Sequence, residues 1–208
     1  MRESLQPQLK RLEESQYFLR TQIENALKSY VLNKDQSWLH GHYNTYYDLW
    51  TATFSDRFYD MMTASRIGTV IESNLRTYYM ERRGITSSGQ LLEDDGYKFC
   101  KKGLFQRVQG WQQNGVITLY RKYIDYDLTE NINLQNVQVA MLDRHLYSHN
   151  SGLIDDAYIE GIKKVTGINL LADPMIGDYP NEEVYWLGPL KHLNEMIWST
   201  RCFFEAFP

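Results

Sequence analysis

The sequence predicts an all-α protein, a helical bundle. Three observations carry this expectation. No proline stands between Pro7 and Pro174 in a chain of 208 residues, and proline is the residue that interrupts helices and marks turns and edge strands. Apolar residues recur at spacings of three and four over long windows, the period of one helix face. At 43% hydrophobic and 23% charged the chain carries enough apolar surface to bury a core and is not disordered.

Each element follows from local pattern. Leu5, Leu9, Leu12, Leu19, Ile23, Leu27 and Tyr30 form one stripe, which predicts a helix over about 4–32, with 33–36 as a connection. Tyr43, Tyr47, Trp50, Phe54, Phe58 and Met61 continue through Ile67, Ile71, Leu75, Tyr78 and Tyr79 as a second helical stretch. Gly68 is a close-packing point or kink within it, and Gly84 a stop after Arg82 and Arg83. Residues around 84–115 read as an irregular insertion with short helical pieces near Leu91–Leu92 and Phe105–Trp111. The stretch 116–128 fits both a strand and a helix; helix is favoured because no partner strand is evident. Residues 133–150 are apolar on most sides and predict a central helix. A further helix over 153–166, a loop with a short hairpin from Gly167 to Gly188, and a closing helix from Pro189 complete the chain. The expected organisation is one domain over 1–208, with core helices at about 44–83, 133–166 and 189–206 and the N-terminal helix packed on them.

Composition excludes several classes. No stretch reaches the roughly 18 apolar residues of a membrane span. The N-terminus has no apolar signal segment, so an intracellular, cytoplasmic protein is expected. Cys100 and Cys202 make neither a disulfide framework nor a zinc ribbon. Leu91–Asp95 lacks the ligand spacing of a calcium loop, and no Gly-rich phosphate loop, Gly-x-Ser-x-Gly or dinucleotide fingerprint occurs, so no cofactor is expected. A net charge of −4 argues against a protein that coats nucleic acid but leaves room for a local basic site. Arg76, Arg82 and Arg83, and Lys98, Lys101, Lys102 and Arg107, supply candidate cations, although such charges most often lie on solvated faces.

The informative patch runs from Asp143 to Gly152: Asp-Arg-His-Leu-Tyr-Ser-His-Asn-Ser-Gly. It puts Arg144, His145, His149 and Asn150 at the end of a helix that otherwise reads as buried, so these polar groups must be paired or face a cavity or an interface. Residues five apart on a helix lie about 140° from each other, so Arg144 and His149 do not share a face by spacing alone; the long arginine side chain, or an end of the helix near His149, would have to bring them together. His145 and His149, four apart, could bind zinc from one helix face, but there is no His-Glu-x-x-His and no evident third ligand, so no metal is expected. His40-Gly-His42 reads as solvated or capping.

The Arg144-x4-His149 string followed by Asn150-Ser151-Gly152 resembles the Arg-x4-6-His signature of the HEPN superfamily, small helical-bundle domains. His145 supplies the polar residue that usually follows the arginine. Downstream, the helix over 153–165, Gly177-Asp178 and the closing helix match the family's order; upstream, Val70-Ile71-Glu72-Ser73-Asn74-Leu75 resembles its glutamate-bearing helix. The likeness spans about 44–83 and 133–206. Some members extend the motif to His-x-Tyr; Ser151 stands at that position here.

The resemblance implies a metal-independent endoribonuclease in a bacterial toxin or phage-defence system. A ribose 2′-OH attacks the adjacent phosphorus, leaving a 2′,3′-cyclic phosphate and a 5′-OH. His149 would be the general acid or base, and Arg144 would hold the phosphate and stabilise the charge that develops on it. His145 and Asn150 would orient groups or bind phosphate. Glu72 is either the partner that supports Arg144 or an ordinary helix-face charge, and Tyr147, between the motif residues, is the tyrosine to test for base stacking. Family practice implies a homodimer with a composite active site, RNA as partner, an antitoxin or regulatory protein by analogy, and no membrane. The alternatives are a non-catalytic HEPN-like dimer that binds nucleotide, RNA or protein, and a bundle whose motif is only a core network.

Overall fold

The computed structural model describes residues 2–32, 58–99, 115–150, 154–172 and 189–208. Among these residues every regular element is helical. The α-helices are α1 (Arg2–Leu32), α2 (Phe58–Arg83), α3 (Ser88–Glu93), α4 (Asp95–Phe99), α5 (Val116–Tyr123), α6 (Leu134–Asn150), α7 (Asp156–Thr166) and α8 (Pro189–Glu205), with 3-10 turns at Leu128–Glu130 and Leu170–Ala172. The all-α expectation holds. The ambiguous stretch is helical over Val116–Tyr123, because Val116, Leu119 and Tyr120 share one buried face. The residues proposed as a helix over 43–57, the helical piece at Phe105–Trp111 and the hairpin before Pro189 lie outside the described residues.

The four long helices form a ring: α1 packs on α2 and α8, α6 packs on α2 and α8, and α2 also meets α8. Neighbours run antiparallel where paired side chains reveal direction. Gln6 bonds Glu205 and Arg201 bonds Glu13 between α1 and α8. Ser65 meets Ser148 and Glu72 meets Arg144 between α2 and α6. The stripes read from sequence meet at the centre: Leu5, Leu9 and Leu12; Ile67, Ile71 and Leu75; Val137 and Met141; Leu193, Ile197 and Phe204 are all buried. Such residues contribute about 1.5–3 kcal/mol each relative to exposure. The side chains of Leu19, Ile23, Leu27 and Tyr30 lie outside the described residues.

α7 covers the outer side of α6. Asp155 caps it by accepting the Tyr158 amide, and Leu142 of α6 packs directly over Gly161. α6 therefore has partners on three sides, as its near-continuous apolar surface requires.

The short helices close one end of the bundle. α2 ends at Arg83, and Gly84 follows at φ 67°, the left-handed conformation that terminates a helix without side-chain strain. The chain then turns back so that Asp94 accepts from the Tyr79 hydroxyl at 2.5 Å, the Tyr97 amide at 2.9 Å and the Arg83 guanidinium at 2.8 Å. Tyr120 donates to the Leu75 carbonyl and Asn131 to the Phe203 carbonyl. Tyr78, Tyr120, Tyr126 and Phe207 pack there with ring centroids 4.8–6.3 Å apart. Most of the tyrosines described are thus core residues.

Burial pushes the Asp94 carboxyl up, but its bonds from Tyr79, Tyr97 and Arg83 outweigh this and hold it below the ordinary aspartate range. Burial first, then Asp94, pushes the Tyr79 phenol far above its usual value. Since the folded Asp94 value is depressed, its stabilisation is complete at neutral pH and is lost as the pH falls below about 4. Asp94→Asn is expected to cost about 1–3 kcal/mol at pH 7. In urea unfolding the gap between wild type and variant should shrink as pH drops from 5 to 2.

Candidate functional site

The patch forms where the C-terminal half of α6 lies against the first half of α2. Helix geometry sorts its residues into two faces. At about 100° per residue, Arg144 and Ser148 share one side, and His145 and His149 share a strip about 100° further round. The structure keeps this division. Ser148 meets Ser65 of α2 at 2.7 Å, and Arg144 also turns onto α2.

Arg144 crosses α2 at Gly68. A Cβ on Gly68 would stand 1.9 Å from Arg144 Cδ and 2.7 Å from its Cγ, so the arginine stem occupies the space that any side chain there would take. One turn along α2, Glu72 receives the guanidinium: Arg144 Nη2 lies 3.8 Å from Glu72 Oε2. The other oxygen of Glu72, Oε1, accepts from Arg76 Nη2 at 2.7 Å. The Glu72 side chain is 10% exposed and that of Arg144 is 24% exposed. A carboxylate this far from water is held by two guanidinium groups, which satisfy the charge that burial makes costly. Glu72 is buried and pairs both with Arg76 on its own helix and with Arg144 across the helices.

His145 and His149 are exposed. Their rings lie 4.7 Å apart, tilted by 47°. α6 stays helical through His149 to Asn150, so no early helix end swings His149 toward Arg144. The geometry instead places His149 with His145 and Arg144 with Glu72. Tyr147 is buried with the core. Asn150 is the last residue of α6; its side chain, Ser151, Gly152, the Gly177-Asp178 turn and His40-Gly-His42 lie outside the described residues.

Two features of the site were not assigned roles from sequence. Asp143 is fully buried beside the motif arginine and accepts from the Tyr158 hydroxyl of α7 at 2.6 Å, which fixes α7 to α6 next to the patch. The Ser65–Ser148 contact was equally invisible, since nothing in either local sequence marks its partner. Of the candidate cations, Arg76, Arg83 and Lys98 are each ion-paired, with Glu72, Asp94 and Glu93, and Arg82 stands 6.0 Å over the Tyr78 ring. Lys101, Lys102 and Arg107 lie outside the described residues, as does Cys100; Cys202 is a free, half-buried thiol. Among the described residues no helix is long and apolar enough to cross a membrane, and no group of three or more His, Cys, Asp or Glu could hold a metal ion.

Comparison with protein-family models, with curated proteins and with solved structures found no match to this chain. The class defined here is therefore structural: an all-α ring of four long helices carrying an arginine–glutamate crossing and an exposed histidine pair.

The crossing makes a sign-changing prediction. Alanine for glycine inside a helix normally stabilises by about 0.5–1 kcal/mol. Gly68→Ala is expected to destabilise the wild-type chain, because Arg144 must leave its track, and to stabilise the Arg144→Ala background, where the clash is gone. A double-mutant cycle from chemical denaturation measures this inversion.

Proposed function

We propose that the protein is a metal-independent endoribonuclease of HEPN type acting as a homodimer. The observation that carries the reading is the arrangement on α6: an arginine whose stem crosses Gly68 and whose guanidinium pairs with Glu72 at 3.8 Å, one helix strip away from two exposed imidazoles. The chemistry needs such a set. A fixed cation stabilises the charge that builds on phosphorus-bound oxygens. Imidazole accepts the 2′-OH proton near neutral pH and returns one to the leaving 5′-oxygen.

Arg144 and His149 diverge by about 140° on one helix, which favours a composite site. A two-fold axis beside this strip would bring the arginine of one protomer toward the histidines of the other, and would supply one imidazole for each proton transfer. Glu72 acts here as a positioning residue for Arg144. A bacterial toxin or phage-defence setting, in a cytoplasm and under an antitoxin or regulatory protein, fits an enzyme that destroys RNA in its own cell.

The second reading is a non-catalytic HEPN-like dimer that binds nucleotide, RNA or protein. It draws on the Glu72 pairing, which offsets part of the Arg144 charge.

His149→Ala and Arg144→Ala are each expected to abolish cleavage of RNA by the purified protein while helical content and oligomeric state are retained. Glu72→Gln should lower kcat more than it raises KM, and EDTA should not lower wild-type cleavage. Cleavage that persists in both alanine variants, or that requires a divalent metal, contradicts the proposal. Binding of RNA without cleavage by wild type supports the second reading.

A further inference from the structure

We infer that His145 and His149 form a two-imidazole clamp for a borderline divalent cation, zinc, nickel or copper(II). The pair is four residues apart, so both side chains rise from one face of α6. The rings are exposed, 4.7 Å apart between centroids and tilted by 47°. A cation held at about 2.0–2.1 Å from one nitrogen of each ring places the ring centroids about 4.5–5.2 Å apart for ligand angles between square and tetrahedral. The observed separation falls in that range.

The position adds to the fit. His149 lies in the last turn of α6, where the unsatisfied carbonyl ends of the helix favour positive charge. The rigid α6 backbone, packed against α2, α7 and α8, fixes the spacing of the two ligands before the cation arrives. Imidazole nitrogen selects zinc, nickel and copper over magnesium and calcium, which prefer oxygen. Two ligands leave the remaining coordination positions to water, so this is an open site rather than a closed structural one. On the nuclease reading above, a bound cation also takes the His149 nitrogen that transfers protons, which makes the clamp inhibitory. The clamp itself stands apart from that reading, because binding is measured without RNA.

The test is titration of the full chain with Zn2+ and, separately, Ni2+ in a non-coordinating buffer, read by calorimetry and by thermal unfolding. Wild type should take up one equivalent that both His145→Ala and His149→Ala lose. The same metals should raise the wild-type Tm, as any ligand selective for the folded state does, and this rise should be lost in both variants. Mg2+ should do neither. Both side chains are exposed, so alanine leaves the core intact; circular dichroism verifies this, with His145→Gln and His149→Gln as substitutes where helicity falls. Uptake that is unchanged in both variants, lost in only one, or absent from wild type overturns the clamp.

Discussion

The passage of Arg144 across Gly68 is the contact on which the arrangement of the patch depends. A side chain on Gly68 would occupy the path of the arginine stem, which would have to shift from its track to Glu72. Glu72 in turn is held by Arg76 from its own helix. Removing Arg144 would leave Glu72 with the pair on its own face; removing Glu72 would leave two cations beside a buried surface. Breaking a partly buried charge network in this way costs more than the pair contributes, because the remaining charge is left unsatisfied.

The rest of the bundle serves to keep this contact in place. α6 is wedged among α2, α7 and α8, so it has little freedom to rotate and change which residues face α2. The Asp143–Tyr158 bond and the Leu142 contact at Gly161 fix the α7 side. The aromatic end, with Tyr120 bonded to the Leu75 carbonyl and Asn131 to the Phe203 carbonyl, ties α2 and α8 at the other half of the bundle. The exposed strip with His145 and His149 is what remains of the α6 circumference after these partners are placed. Its exposure follows from packing, and its residue types are those of proton transfer and metal ligation.

Much of the fold was legible because the apolar positions follow a single period. The stripe Leu5, Leu9, Leu12 and the series Ile67, Ile71, Leu75, Tyr78 each mark one buried face, and Gly84 and Pro189 mark an end and a start. Residues 116–128 were ambiguous because their apolar residues fit both an alternating and a helical period, and only the first part, Val116–Tyr123, is helical, too short a run to separate a period of two from one of 3.6. The candidate site was legible as residue types on α6 but not as contacts. Sequence distance hides the meeting of Gly68 with Arg144 and of Asp143 with Tyr158, since each requires knowing which helices are neighbours. Spacing alone put Arg144 and His149 on different faces, and α6 remains helical through both, so no helix end near His149 joins them.

Whether this patch cleaves RNA through the ribose hydroxyl is the central question. The most direct measurement is incubation of the purified chain with an oligoribonucleotide pool and a matched 2′-deoxy pool, followed by analysis of the product ends. The account predicts fragments ending in 2′,3′-cyclic phosphate and 5′-hydroxyl from the RNA pool, and an intact 2′-deoxy pool. Cutting of the 2′-deoxy pool, 5′-phosphate ends, or an RNA pool left whole would contradict it.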